Sequence, residues 1–203
     1  MKCPKQAEIE SRHIISKSNL GGPSWTVNPY IGCLHGCVYC YACFMRRFTG
    51  HLADQWGEFV DIKTNAAELF PGDFRRVKAG DSMFFGSVTD AYQPLEKEWE
   101  LTRGMLKFLT QEATRQGTRL DQISITILTK SDLVLRDLDL LKQIPNIQVG
   151  FSIALPNEKA RRIFEPCASP IQQRFAALDK LHREGIQTFV FMGPILPHIT
   201  PIE

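Results

Sequence analysis

The chain has 203 residues, of which 43% are hydrophobic and 23% charged, and this composition suits one globular domain with a sizeable core. The formal net charge of +2 is too small to indicate nucleic-acid binding on its own. The polar start lacks the apolar segment of a signal peptide, and the longest apolar stretches are too short to cross a bilayer. We therefore expect a cytoplasmic protein with no membrane partner.

In chain order, six segments are predicted as β-strands, and several of them alternate apolar with polar or small residues. They are residues 25–28, 59–63, 82–88, 123–129, 147–154 and 188–192. Two long helices are predicted over 95–115 and 169–184, and shorter ones over 41–48, 66–76 and 136–144. The helix over 169–184 begins with a capping box formed by Ser169 and Gln172 and stops before Gly185.

Strands that alternate with helices indicate βαβ units and hence an α/β fold with a parallel sheet. One face of the strands over 123–129 and 147–154 carries small or polar residues, whereas a doubly wound sheet would be apolar on both faces. A roomy inner face suits an open, partial barrel that holds a bulky ligand at the C-terminal ends of its strands.

Four of the six cysteines lie within eleven residues, at Cys33, Cys37, Cys40 and Cys43. In a reducing cytosol such a group indicates metal binding rather than disulfides. The C-x3-C-x2-C spacing of the first three suits three thiolates that hold three irons of a [4Fe–4S] cluster and leave the fourth iron open. An open coordination position is what metal chemistry on a substrate requires.

Three other interpretations of these cysteines stay open from spacing alone. The pattern could arise by chance. A structural zinc ion could take His35 or Cys43 as its fourth ligand, although no second pair of ligands is visible. Cys37 and Cys40 could form a redox dithiol, although they do not precede a thioredoxin-like pattern.

Residues 28–42 read NPYIGCLHGCVYCYA, and this string resembles the radical SAM enzymes, in the branch of spore photoproduct lyase and the DNA repair photolyase-like proteins. Further matches fall at successive strand ends. They are 86–90 (GSVTD), 129–131 (TKS), 151–153 (FSI) and 193–197 (GPILP). The resemblance implies a partial TIM-type (β/α)6 barrel of the radical SAM type that lacks its last helix. It also implies a single core domain over 1–203 that is short at its C-terminus.

The resemblance implies a chemistry as well. The open iron would bind the amino and carboxylate groups of S-adenosylmethionine (SAM). One electron from the reduced cluster would split a carbon–sulfur bond, giving methionine and a 5′-deoxyadenosyl radical that abstracts hydrogen from a substrate. The cofactor supplies this chemistry, while the protein orients the reactants and excludes water. A flavodoxin- or ferredoxin-type reductant is implied as a partner.

Four polar residues at strand ends are candidates for the SAM site. Thr89 and Asp90 follow the third strand and could hold the ammonium or a ribose, with a turn or N-cap as the alternative for Asp90. Lys130 follows the fourth strand and could pair with the SAM carboxylate, or be a solvated loop lysine. Ser152 lies on the small-residue face of the fifth strand, which leaves room for the nucleoside. The alternative is that its hydroxyl is hydrogen-bonded within the barrel. Matching positions line the SAM site in the family, which favours binding for all four.

Two tyrosines, Tyr39 and Tyr41, flank Cys40, and aromatic packing around the cluster is the alternative to a functional role for both. Matching tyrosines are implicated in radical relay in spore photoproduct lyase. The resemblance therefore implies a catalytic role for Tyr41 and, less directly, for Tyr39.

Four further side chains could face a substrate, but a structural interpretation is favoured for each of them. A buried small thiol is expected at Cys43. Solvated surface positions are expected at Lys63, Glu165 and His198.

Two features depart from the lyase pattern. Ser87 takes the position of a hydrogen-donating cysteine, and because an O–H bond is much stronger than an S–H bond, thymine-dimer reversal is disfavoured. The DNA-gripping region that follows the core of the lyase is also missing. A nucleic acid is thus one candidate substrate beside a protein or a small molecule. The competing hypothesis is a truncated, non-catalytic cluster-binding protein or partner subunit.

Overall fold

Strands and helices alternate along the chain in the computed structural model, which describes residues 4–19, 21 and 24–200. The described strands are β1 (Lys5–Ile9), β2 (Ile15–Lys17), β3 (Trp25–Val27), β4 (Tyr30–Ile31), β5 (Phe59–Lys63), β6 (Ser82–Phe85), β7 (Ser124–Thr129), β8 (Ile147–Ser152) and β9 (Gln187–Phe191). The described α-helices are α1 (Ala66–Phe74), α2 (Glu96–Trp99), α3 (Leu101–Ala113), α4 (Leu138–Leu141), α5 (Glu158–Phe164) and α6 (Ile171–Arg183). Three 3₁₀ segments cover Tyr41–Phe48, Leu120–Gln122 and Asp132–Asp137.

The main sheet has six strands in the order β2-β3-β6-β7-β8-β9. Neighbours from β3 to β9 are parallel, and β2 joins the edge antiparallel to β3. One face is buried on the inner strands β6, β7 and β8, through residues such as Phe85, Ile127 and Phe151. The other face is more polar, and there Gln148 Nε2 donates to Thr126 Oγ1 over 2.8 Å. The sheet is open, and the α/β fold class is confirmed.

A second, three-stranded sheet in the order β1-β5-β4 contains the segment 59–63. The prediction that the segment 59–63 belongs to the barrel sheet is wrong, because β4 turns the chain after β3 and pairs antiparallel with β5. The main sheet still has six strands because β2, a short strand without a sequence signal, completes it. The small sheet lies next to the cysteine segment, since β4 ends directly before it.

The helix expected over 95–115 is two helices, because Glu100 adopts a left-handed conformation at φ 48° between α2 and α3. The carboxylate of buried Glu96 accepts the backbone N–H of Arg103 over 3.2 Å and so helps to satisfy the start of α3.

The capping box expected at Ser169 does not form. α6 begins at Ile171, whose N–H donates to the Glu158 carboxylate over 2.6 Å. The Ser169 hydroxyl instead donates to Asp132 Oδ1 over 2.6 Å and accepts the Asp132 backbone N–H. A carboxylate from the preceding helix thus replaces the local cap.

Other boundaries also shift. The segment 41–48 is 3₁₀ rather than α-helical, α1 ends at Phe74, and 136–144 divides between a 3₁₀ segment and α4. The strands expected over 82–88 and 147–154 end at Phe85 and Ser152. Residues 86–90 therefore form a loop at the C-terminal end of β6, which is where ligands of parallel α/β sheets bind.

Candidate active site

The three motif cysteines lie in the segment between β4 and the 3₁₀ segment Tyr41–Phe48. Cys33 and Cys37 are buried, and Cys40 is half-buried. Burial raises the pKa of Cys33 well above its ordinary value and that of Cys37 to about 12. Buried thiolates need a compensating cationic group, so this donor set fits a metal cluster.

Close backbone packing shapes this segment. A Cβ on Gly32, at φ +88°, would lie 2.4 Å from the carbonyl oxygen of Phe59. A Cβ on Gly57, at φ +95°, would lie 2.6 Å from Gly36 Cα. Real Cβ atoms do not approach so closely, so the chain around residues 57–59 holds the cysteine segment through positions that only glycine fits.

His35 lies inside the motif and is buried. Its Nε2 faces Asp90 Oδ2 at 3.1 Å, and its Nδ1 faces the carbonyl oxygen of Cys167 at 3.2 Å. Both ring nitrogens are thus engaged by oxygen atoms, which leaves neither free for zinc. Cys43, the other proposed zinc ligand, is exposed, so the expectation of a buried thiol there is wrong. Across residues 4–19, 21 and 24–200, no three His, Cys, Asp or Glu side chains are grouped around one metal position, and this holds for Cys33, Cys37 and Cys40 as it does for any zinc set.

Asp90 binds the cysteine segment to two parallel strands. Besides contacting His35, its carboxylate accepts the Thr129 hydroxyl at 2.7 Å and the backbone N–H groups of Tyr92 and Lys130, each at 2.8 Å. Burial opposes the charge of Asp90, but the adjacent His35 ring and these donors outweigh it and lower its pKa to about 2. The carboxylate is therefore fully engaged by protein groups.

Thr89 and Gln93 complete this attachment. The Thr89 hydroxyl donates to the Gly32 carbonyl over 2.6 Å. Gln93 is completely buried, accepts the backbone N–H of Leu34 at 2.9 Å, and donates to Thr89 Oγ1 at 3.3 Å. Gln93 was missed from the sequence, where a glutamine near the end of a loop carries no signal of its own.

Lys130 and Ser152 lie on neighbouring strand ends. The Lys130 ammonium lies 5.8 Å from the centre of the Tyr39 ring. Burial raises the pKa of Cys37 and Cys40, and the charge of Lys130 opposes this effect in part by favouring their thiolate forms. Ser152 is buried, and no hydrogen bond reaches its hydroxyl from the part of the chain that the structure describes. Lys130 therefore lies near the cysteines, and Ser152 keeps a free hydroxyl.

Tyr39 points into the protein. Its hydroxyl donates to the Glu165 carboxylate, and burial followed by the Glu165 charge raises its pKa. Glu165 is fully buried and lies 2.6 Å from Arg174 Nη2, whose side chain is 1% exposed. The expectation of a solvated Glu165 is wrong, because the residue is fully buried: one carboxylate oxygen accepts the Tyr39 hydroxyl, and the other contacts Arg174 as an ion pair without a hydrogen bond.

Tyr41 instead lies at the rim of the main sheet, beside the loop that follows β6, with 59% of its surface exposed. Its hydroxyl donates to the carbonyl oxygen of Ser87, and the Ser87 hydroxyl is 3.0 Å from the side-chain nitrogen of Asn28. Lys63 is half-buried and donates to the Asn28 carbonyl over 2.8 Å, so its expected surface position is wrong. His198 is exposed, as expected.

The sequence model of the radical SAM superfamily matches residues 27–203, which contain all of these groups. The chain belongs to the radical SAM superfamily. A relative described as an uncharacterized protein of Methanocaldococcus jannaschii is 34% identical over 97% of this chain and 70% of its own length. A Radical SAM Nalpha-GlyT isomerase of Pseudomonas phage M6 is 22% identical over 97% of this chain and 39% of its own length.

Among solved structures, a spore photoproduct lyase variant with bound AdoMet and dinucleoside spore photoproduct matches this radical SAM chain with a TM-score of 0.70. The match has 18% identity and covers 95% of this chain, which spans about half of that lyase (52%). At this identity the likeness establishes the radical SAM fold. The family implies a [4Fe–4S] cluster and SAM as cofactors. Within the described residues, no helix is long and apolar enough to cross a membrane.

Proposed function

We propose that this chain holds a [4Fe–4S] cluster on Cys33, Cys37 and Cys40 and uses it to cleave SAM reductively. Three thiols on one loop, with no fourth protein ligand in their motif, carry the proposal, because they leave an iron open for SAM. When bound, the two cofactors supply a 5′-deoxyadenosyl radical. A flavodoxin- or ferredoxin-type protein would supply the electron.

We propose distinct roles for the four SAM-site candidates. The charge of Lys130 suits the SAM carboxylate, and it also favours the cysteine thiolates that the cluster requires. The free hydroxyl of Ser152 suits the nucleoside. The side chains of Thr89 and Asp90 are engaged by the cysteine segment and its neighbours, so we place them as residues that position the segment for SAM.

We further propose that the substrate is a nucleic acid. The 3₁₀ segment Tyr41–Phe48 exposes Tyr41, Phe44 and Phe48, with successive ring centres 6.3 Å apart, beside exposed Arg47. Exposed aromatic rings next to basic side chains are the usual means of stacking unpaired bases. The lyase bound to a dinucleoside photoproduct agrees with this substrate class. Because the Ser87 hydroxyl would be a poor hydrogen donor to a carbon radical, we do not assign a lyase reaction on the nucleic acid to this chain.

Iron binding to single-cysteine variants tests the cluster assignment. Anaerobic reconstitution should load about four irons on the wild type, and Cys33→Ala, Cys37→Ala and Cys40→Ala should each lose most of them. Cys43→Ala and Cys167→Ala are matched controls, because both thiols are exposed and lie outside the three-cysteine spacing. Equal iron loading of Cys37→Ala and Cys167→Ala would refute the assignment.

A further inference from the structure

We propose that Lys63 binds a phosphate oxygen of the substrate at the rim of the sheet, beside Asn28, Ser87 and Tyr41. This inference deepens the proposed nucleic-acid function and rests on it. It assigns a substrate-binding cation that lies outside the SAM candidates and outside the cysteine segment.

Three separate pieces of the chain place Lys63 at the rim. Asn28 directly follows β3, Ser87 lies just past the end of β6, and Lys63 is the last residue of β5. Lys63 Nζ donates to the Asn28 carbonyl at 2.8 Å, while the Asn28 side chain contacts the Ser87 hydroxyl and accepts the Val88 N–H at 3.1 Å. The ammonium thus lies at the C-terminal ends of parallel strands, where substrates enter such folds.

The Lys63 ammonium lacks a counter-charge. Within the described part of the chain, no carboxylate lies within 4.0 Å of it, and its one hydrogen bond uses one of three N–H groups. Asp61, two residues earlier on β5, is engaged by His51 Nε2 at 2.9 Å. A half-buried cation without an anion is costly for the protein alone, and an anionic ligand oxygen would offset this cost.

Neighbouring groups favour a phosphate as that anion. Tyr41 donates to the carbonyl oxygen of Ser87, so its exposed ring lies beside the same rim. The rings of Phe44 and Phe48 continue from Tyr41 along one exposed surface. A base stacked on this surface would carry its backbone phosphate past the rim, where a lysine acts as a point charge for phosphate.

Site-resolved labelling tests this proposal on the cluster-loaded protein. An amine-reactive reagent is applied in chloride, acetate, inorganic phosphate or thymidylyl-thymidine at equal ionic strength, and peptide mass spectrometry gives the labelling rate of each lysine. We expect phosphate and the dinucleotide to slow labelling of Lys63 several-fold, with no change at exposed Lys107 on α3. Equal labelling of Lys63 in chloride and in both phosphate compounds would overturn the proposal. Equal slowing by acetate would overturn its preference for phosphate.

A binding comparison separates this inference from the proposed function. Wild type should bind thymidylyl-thymidine about tenfold more tightly than its uncharged methylphosphonate analogue, as one charge-assisted contact predicts. Lys63→Met should abolish that preference and Lys63→Arg should retain it. An unchanged preference in Lys63→Met contradicts the role of Lys63 even if SAM cleavage is intact. A wild-type protein that prefers thymidylyl-thymidine over the methylphosphonate but does not cleave SAM contradicts the proposed radical chemistry and not the role of Lys63.

Discussion

The buried ion pair between Arg174 and Glu165 allows a quantitative prediction. The two side chains are 1% and 0% exposed, their charged atoms lie 2.6 Å apart, and Glu165 also accepts the Tyr39 hydroxyl. Arg174→Met keeps an unbranched apolar stem at this position while removing the cation. The carboxylate of Glu165 is then left buried without its partner.

Removing one member of a buried pair costs about 3–5 kcal/mol, because the remaining charge cannot be solvated. Arg174 also donates to the carbonyl oxygens of Ser152 and Ser169, at 2.9 and 2.7 Å, and these bonds are lost as well. We therefore expect Arg174→Met to lower the free energy of unfolding by about 5 kcal/mol, the upper end of that range. A domain of ordinary stability would retain little beyond this loss.

Urea unfolding of the cluster-free chain under reducing conditions measures this loss without interference from iron. The matched control is Arg183→Met on the same helix, whose partner Asp179 is exposed, and it should lose less than about 0.5 kcal/mol. Adding Glu165→Gln to Arg174→Met removes the buried charge and should recover about 2 kcal/mol. The reasoning fails if Arg174→Met lowers the free energy of unfolding as little as Arg183→Met does, or if the double variant is the least stable of all.

Three further predictions concern the support of the cysteine segment and the rim. Gly57→Ala should lower iron loading severalfold, because its Cβ would lie 2.6 Å from Gly36 Cα, whereas Gly80→Ala, with open space around it, should load normally. Asp90→Asn should destabilise the chain by about 2–3 kcal/mol in urea unfolding, because an amide cannot accept all four donors; an unchanged midpoint would contradict the assigned contacts. Burial lowers the pKa of Lys63 from 10.5 to about 8. Between these pH values the folded chain has therefore lost the Lys63 proton that the unfolded chain still holds. The free energy of unfolding should therefore rise from pH 8 to 10.5 by up to about 3 kcal/mol more in wild type than in Lys63→Met, and parallel pH curves would refute this.

Local sequence signals predicted the framework of the fold well. Apolar alternation placed β6, β7, β8 and β9 within a few residues, although only β6, β7 and β8 contain buried residues and β9 has none. The same signal could not assign β5 to a sheet, since pairing with β4 depends on the turn that follows β3. β1 was missed because its residues are largely exposed.

The candidate site divides in the same way. Cys33, Cys37 and Cys40 could be found because their spacing within one loop is itself the signal. Glu165 and Gln93 could not be assigned, because their importance comes from burial beside a loop far away in sequence. A single sequence shows neither burial nor such long-range partners, so charged residues such as Glu165 are interpreted as surface residues.

The production of 5′-deoxyadenosine tests the central claim most directly. Reconstituted wild-type protein is incubated anaerobically with SAM and dithionite beside Cys37→Ala, with Cys167→Ala as the matched control. We predict that wild type and Cys167→Ala form 5′-deoxyadenosine and methionine in equal amounts, while Cys37→Ala forms neither above background. A fully iron-loaded wild type that forms no 5′-deoxyadenosine, or a Cys37→Ala variant that forms as much as wild type, would contradict the account.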